Sequence, residues 1–375
     1  MSDPAYPAAR VVAPTLYGHF RGRLEAAGQD AMELLPDPEA IENVIDAAFW
    51  ASLRREEGYV PKISLALLKP EHTISPLIFE RPLPLGAAAL SRLAPAVERP
   101  GIHLGVARNG RDLAVWGTTR TIPAFCLVLE VVDPGLLVVK HRVSESGKFV
   151  NVLVLEGDQI KIVDERASSL PDCPPLLTSL LGFEAPSSWH DSVNVLVELA
   201  VSMRAHGRGG SLLVVPATSE TWRESIVQPI AYPVLPPFTE LADLMREDPI
   251  ERHQRRWQDA LDRSVEAIAG LTAVDGATIV TDQYDLRAFG AKIGRREGGT
   301  RVQEVVVTEP IEGSAPATVH PAELGGTRHL SAAQFAQDQR DAVALVASQD
   351  GRFTIFAWSP CEEIVHAHRV ESLLL

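Results

Sequence analysis

Residues 275–291 read DGATIVTDQYDLRAFGA, and this stretch decides the fold of the second half of the chain. Two short apolar runs, Ala277 to Thr281 and Leu286 to Ala291, stand on either side of four polar residues. Apolar runs of this length between turn residues predict buried β-strands. Asp275-Gly276 leads straight into the first strand, where a glycine lets a ligand approach the backbone closely. The adjacent carboxylate suits a divalent ion on phosphate oxygens, which makes Asp275 the candidate metal ligand.

A second segment, Gly325-Gly326-Thr327-Arg328-His329, runs into a helix predicted over Ser331 to Arg340. A Gly-rich turn at a helix N-terminus offers free backbone N–H groups to an anion. Thr327 adds a hydroxyl, and Arg328 adds a forked cation suited to phosphate. A single short motif of this kind is more often only a turn. Gly298-Gly299-Thr300-Arg301 repeats four of the letters but leads into a β-rich run, so it offers no helix N-terminus.

The pattern around these segments alternates helices and strands. We expect helices and strands over the following residues: helices 193–205, 238–246 and 249–270, and strands 211–215, 342–347 and 353–358. Such alternation predicts an α/β fold in which helices flank a mixed central sheet.

The first half of the chain has a different pattern. Helical periodicity stops at Gly28 and begins again after Pro38, and a short strand is expected over Ile63 to Leu68. From about residue 102 the period changes to two, and turn residues such as Asn109-Gly110 separate about six strands. The sequence therefore predicts an α+β region that contains a β-meander.

These patterns predict three parts of the chain. A mainly helical region covers residues 1–100, a small β-meander region covers 101–168, and the α/β domain covers 188–360. A proline-rich linker is expected over residues 168–175.

Composition limits the functions that the chain can have. The formal net charge of −14 argues against nucleic acid and anionic membranes as partners, and a nucleotide triphosphate would need a divalent cation or a local basic cluster. Three cysteines in 375 residues argue against a disulfide framework. The N-terminus lacks the pattern of a signal peptide, and no uncharged apolar run reaches the ~20 residues that cross a bilayer. We therefore expect a cytoplasmic protein that does not span a membrane.

The run from about Ser192 to Trp358 resembles the diadenylate cyclase domain, which joins two ATP molecules into cyclic di-AMP. After a Gly-small-apolar strand, this chain has Asp275-Gly276-Ala277, then Gly326-Thr327-Arg328-His329-Leu330, then Ser348-Gln349-Asp350, in the family's order. The resemblance implies a bound purine nucleotide as the small-molecule partner, together with Mg or Mn. It implies nucleotide-binding residues at Asp275, Gly276, Ala277, Gly326, Thr327, Arg328, His329 and Ser348. Of these, Asp275, Arg328 and His329 are the candidate catalytic residues.

Three departures from the family pattern fall on the residues that carry chemistry. Leu330 replaces a second arginine, Gln349 replaces a metal-binding glutamate, and Val274 replaces a histidine. Phosphoryl transfer depends on charge neutralisation by metal and basic groups, so these changes weaken catalysis more than binding. The resemblance is therefore to the sensor-type, DACNV-like relatives, whose active site is degenerate and which carry a dedicated N-terminal region.

Two alternatives stay open at this stage. One is an active diadenylate cyclase, and the other is a purely structural module that has lost its ligand. A homo-oligomer is left open as well. Near the C-terminus, Cys361, His366 and His368 have no standard metal-site spacing, and we expect them to lie in a solvated tail.

Overall fold

The structure is a computed structural model that describes residues 4–28, 30–55, 58–143, 149–164, 195–248 and 251–375. The chain divides into two compact units, Met1–Val163 and Asp164–Leu374, and each is described by itself. The linker predicted over 168–175 lies outside the described residues. No helix among the described residues has the length and apolar character needed to span a membrane.

Among the described residues, the first unit contains one eight-stranded sheet and three α-helices. The helices are α1 (Pro7–Ala27), α2 (Pro38–Ser52) and α3 (Ala87–Val97). The strands are β1 (Ile63–Leu67), β2 (Leu77–Pro84), β3 (His103–Asn109), β4 (Asp112–Thr119), β5 (Val128–Asp133), β6 (Leu136–Arg142), β7 (Phe149–Glu156) and β8 (Gln159–Ile162). Their order in the sheet is β2-β4-β3-β1-β5-β6-β7-β8.

Local sequence signals place these elements. Asp37 caps α2 by accepting a hydrogen bond from the Ala40 N–H at 2.9 Å, and Gly28 ends α1 with a φ of 115°. Helix α2 presents Ile41, Val44 and Ile45 to a core that the three helices share with one face of the sheet. The predicted helices and strands of this half therefore belong to one compact unit.

The sheet order corrects the prediction of a continuous six-stranded meander. Strands β5 to β8 do form a meander, but β1 lies between β3 and β5 and runs parallel to β3. Strand β2 was also not predicted, because the prolines in its sequence LIFERPLP are typical of loops. A proline cannot donate to a neighbouring strand, and β2 accommodates Pro82 and Pro84 because it lies at the edge of the sheet.

The second unit contains a nine-stranded mixed sheet. Its helices are α4 (Val195–Ala205), α5 (Glu240–Arg246), α6 (Arg255–Leu271) and α7 (Thr327–Asp338). Its strands are β9 (Gly210–Val215), β10 (Tyr232–Phe238), β11 (Ala277–Thr281), β12 (Leu286–Ala291), β13 (Val305–Thr308), β14 (Ala317–Val319), β15 (Val343–Ala347), β16 (Phe353–Ser359) and β17 (Ile364–Arg369). Their order is β10-β12-β11-β9-β15-β16-β17-β13-β14.

Helices cover both faces of this sheet. Along β9, Leu212 and Val214 pack in the core that contains α4 and α6, whereas Leu213 and Val215 pack in the core that contains α7. Strands with both faces buried read as continuous apolar runs, which is the pattern of Gly210 to Val215. The prediction of a mixed sheet flanked by helices is confirmed.

Two predictions about this unit are wrong. Residues 364–369 form the buried strand β17 between β16 and β13, so the expected solvated tail does not exist, and His366 and His368 are almost fully buried. Among the described residues, no group of three or more His, Cys, Asp or Glu side chains has an arrangement that could hold a metal ion. Helix α7 also begins at Thr327 instead of Ser331, so the Gly-Thr-Arg motif itself forms the first helical turn.

Candidate functional site

One edge of the nine-stranded sheet brings together segments from distant parts of the sequence. Strand β9 runs parallel to β11, with Ser211 opposite Ala277, and antiparallel to β15, with Gly210 opposite Ala347. The starts of β9 and β11 and the end of β15 therefore lie side by side. This register places Asp275-Gly276 and Ser348 at the same edge.

Gly276 is required by the backbone beside it. Its φ is 108°, and a Cβ at this position would lie 2.5 Å from the carbonyl carbon of Gly290. The close approach is thus between two strands of the sheet, which is a different cause from the ligand approach expected from the sequence. The neighbouring Asp275 is exposed, and its side chain makes no hydrogen bond or ion pair with any of the described residues.

The Arg328 side chain reaches the same edge from the first turn of α7. A Cβ placed on Gly209, which precedes β9, would lie 3.0 Å from Nη1 of Arg328 and 3.3 Å from the carbonyl oxygen of Ala347. Gly209 has a φ of 69° and is buried, so the absence of a side chain makes room for the guanidinium. Arg328 therefore lies over the start of β9 and the end of β15.

The N-terminus of α7 is open. Gly326 is the N-cap residue, and no side chain caps the helix. Thr327 is exposed at the first helical position, while the backbone N–H of His329 is already bonded to the carbonyl of Gly326 at 3.1 Å. The positive end of the helix dipole adds to the charge of Arg328 at this point.

His329 points into the core. Its side chain is 3% exposed, its ring meets Phe356 edge-on at 6.0 Å, and Nε2 has no hydrogen-bond partner. Burial lowers the pKa of His329, Asp350 acts in the opposite direction, and nearby arginines add to the lowering. We interpret His329 as a neutral packing residue that anchors the first turn of α7.

The turn between β15 and β16 is held by its own residues. The Ser348 N–H donates to the carbonyl of Arg352 at 2.9 Å, and Arg352 pairs with Asp350 at 3.4 Å. Partial burial acts to raise the pKa of the Asp350 carboxyl, but the bond from Ser348 and the charge of Arg352 lower it below its usual range. Asp350 is therefore an ionised group whose charge is used within the turn.

The arginines around this edge differ in whether they are compensated. Arg352 pairs with Asp350, and Arg369 pairs with Glu371 at 2.6 Å. Arg328 and Arg208 make no ion pair with any carboxylate in the part of the chain that the structure describes. Within the described residues, Arg328 and Arg208 are therefore unpaired cations at an edge that also carries the unpaired Asp275 carboxylate, although the whole chain carries −14.

Arg208 and Gly209 were missed by the sequence reasoning. They belong to Gly207-Arg208-Gly209-Gly210, which leads into β9. A Gly-rich turn that carries a cation at a strand end was a usable signal. This turn lies more than a hundred positions from Arg328 in the sequence, so the sequence alone does not show that the two are close in space.

The repeated letters at Gly298–Arg301 form a different structure. The carbonyl of Thr300 accepts hydrogen bonds from Gln334 and Gln337, both at 2.9 Å, near the C-terminal end of α7. As expected, this segment offers no helix N-terminus, and Arg301 is exposed.

Comparison with known families adds one match. The model of the family described as "Probable sensor domain DACNV" matches residues 30–120, which lie in the first unit. This match supports a sensor family associated with diadenylate cyclase domains. No curated protein matches the chain. The match and the candidate site thus fall in different units.

Proposed function

We propose that the second unit binds a purine nucleotide at the sheet edge defined by Asp275, Gly209 and Arg328, and that the protein is a cytoplasmic sensor. The main support for this site is the position of the Arg328 guanidinium at the open N-terminus of α7. The guanidinium has no carboxylate partner among the described residues. Uncompensated arginine beside free helix N–H groups suits phosphate oxygens. The sensor-family match of the first unit supports the sensing role.

The proposed ligand contacts follow from the order of the edge. Arg328 and the first turn of α7 bind the phosphates, and Ser348 lies beside them at the end of β15. Asp275 is exposed one strand beyond β9, where it can share a Mg or Mn ion with phosphate oxygens. Because His329 is buried, its role is to hold the first turn of α7 in place by packing in the core.

Thermal unfolding tests the binding proposal. We expect ATP or cyclic di-AMP, with Mn²⁺ present, to raise the melting temperature, since a ligand at a hundred times its Kd adds about 2.7 kcal/mol. Arg328→Ala should remove most of this shift. Arg301→Ala is the matched control, because it removes an exposed arginine from the repeated Gly-Gly-Thr-Arg letters and should leave the shift intact. Equal effects of the two variants would refute the assignment.

Product analysis separates the sensor from an active cyclase. Leu330 and Gln349 stand where the resembled family has a cation and a carboxylate, and losing one such contact costs ~10²–10³ in rate. We therefore expect no cyclic di-AMP, or only traces, after incubation with ATP and Mn²⁺. Robust turnover would establish the cyclase instead.

A further inference from the structure

We infer that Gln349 is a positioning residue that keeps Arg328 uncompensated, so that an anionic phosphate group of the ligand supplies the missing negative charge. The inference rests on the proposed nucleotide site and deepens it. It assigns a function to the neutral residue that replaces the family's glutamate. In this view, the change from carboxylate to amide favours direct phosphate binding by Arg328.

The inference is based on two side chains, those of Arg328 and Gln349, that both lie close to Gly209. Nη1 of Arg328 lies 3.0 Å, and Cγ of Gln349 lies 3.3 Å, from the point that a Cβ on Gly209 would occupy. The end of the residue 349 side chain is therefore within reach of the guanidinium. A carboxylate at the end of this side chain would find a forked cation beside it.

The amide of Gln349 makes a hydrogen bond that a carboxylate in its place could not make. Its Nε2 donates to the backbone carbonyl of Arg208 at 3.4 Å. A carboxylate has no N–H to donate and would face that carbonyl oxygen with a like partial charge. Replacing the amide by a carboxylate would thus remove its present partner and turn it toward Arg328.

The carboxylate next to Gln349 in the sequence does not pair with Arg328. Asp350 follows Gln349 directly, but it accepts a bond from Ser348 and pairs with Arg352. Whether Arg328 has a carboxylate partner therefore depends on the residue at position 349. The isosteric change Gln349→Glu tests this dependence with little change in shape.

Binding of inorganic tripolyphosphate, measured by calorimetry without metal, provides the first test. We expect Gln349→Glu to weaken binding about tenfold or more, as expected when a charge-assisted contact is lost, and Gln349→Ala to weaken it much less. Gln303→Glu adds the same charge at another exposed position of the second unit and is the matched control. If Gln349→Ala is as harmful as Gln349→Glu, or if the control is, the inference is wrong. Tighter binding to Gln349→Glu after Mn²⁺ is added would also overturn it.

A ligand-free measurement keeps this inference separate from the proposed function. In the unliganded protein, Gln349→Glu should raise the melting temperature by about 1–3 °C through a new pair with Arg328. The rise should vanish in the Arg328→Ala background, which only a direct pairing predicts. If neither ATP nor tripolyphosphate binds the wild-type protein, the proposed function fails, yet this double-mutant cycle still decides whether Gln349 keeps Arg328 free. A rise that persists without Arg328, or no rise at all, would refute the inference.

Discussion

Two charged groups of the chain, Lys140 in the first unit and Arg328 in the second, differ in whether a carboxylate neutralises them. In the first unit, Lys140 is buried and pairs with Glu130, and Ser64 bonds to both Glu130 and His103. In the second unit, Arg328 lies at a sheet edge without a carboxylate partner among the described residues. A charge that is neutralised internally stabilises one structure, whereas an uncompensated charge at an edge is available to a ligand.

This difference shows why a family match and a candidate site can fall in different places. The sensor-family model matches residues 30–120, which lie in the first unit. The residues that suit phosphate lie in the second unit, which that model does not cover. The comparison therefore predicts that changes in the first unit alter stability, and that changes at the edge of the second alter binding.

The largest expected effect concerns the histidines of the first unit. Burial, together with neighbouring charges, lowers the pKa of His19 and His103 to about 4, and burial does the same for His141. Each ring is neutral when folded and gains a proton on unfolding below its unfolded value of about 6.5. The free energy of unfolding therefore has its full value above pH 6.5 and decreases as the pH falls toward 4. The loss is on the order of 2–3 kcal/mol for each histidine at pH 4.

Denaturant unfolding at a series of pH values measures this effect. The slope of the unfolding free energy against pH counts the protons taken up on unfolding. His103→Gln should reduce the slope between pH 6.5 and 4 by about one proton. An unaltered slope in His103→Gln would show that the folded structure does not lower the pKa of His103.

Much of the fold could be predicted because apolar runs and turn residues are local signals. The predicted bounds of β11 and β12 agree with the structure at both ends. Strands β2 and β10 could not be predicted, because their prolines are typical of loops and only an edge position makes them compatible with a strand. The burial of His368 depends on pairing with β16 and β13, which no local pattern specifies.

The second prediction concerns Gly276 in the second unit. Gly276→Ala would place a Cβ 2.5 Å from the Gly290 backbone at a φ of 108°, and neither strand can move without breaking the sheet. We expect a loss of about 3 kcal/mol or more in the free energy of unfolding, from overpacking and backbone strain together. Gly298→Ala is the control, since it has a similar positive φ but nothing within 4 Å, and it should cost only about 1 kcal/mol. Equal costs would mean that the strand contact is unimportant.

The candidate site was predictable only in part. The motif letters singled out Asp275, Thr327 and Arg328 as candidates, because the start of a strand and the start of a helix can be recognised along the chain. The relation of Arg328 to Gly209 and Gln349 was not, because it depends on the sheet order that brings β9 beside β15. His329 illustrates the remaining gap, since its residue type suggested a ligand contact and its helix position turns it into the core.

The smallest expected effect concerns an exposed arginine of the first unit, Arg108, which contrasts with Arg328. Arg108 pairs with Asp37 at 2.8 Å and with Glu39 at 3.0 Å, and Asp37 also caps α2. Asp37→Asn should cost less than about 1 kcal/mol in unfolding free energy, because asparagine caps a helix as well as aspartate and only an exposed ion pair is lost. Asp37→Ala should cost about 1 kcal/mol more, because the cap disappears as well. Urea unfolding of the two variants at low and high salt separates the contributions, since only the ion pair is screened. A large, salt-sensitive loss of unfolding free energy in Asp37→Asn would mean that the exposed ion pair of Arg108 stabilises the first unit as much as a buried pair does. The contrast drawn between Arg108 and Arg328 would then be wrong.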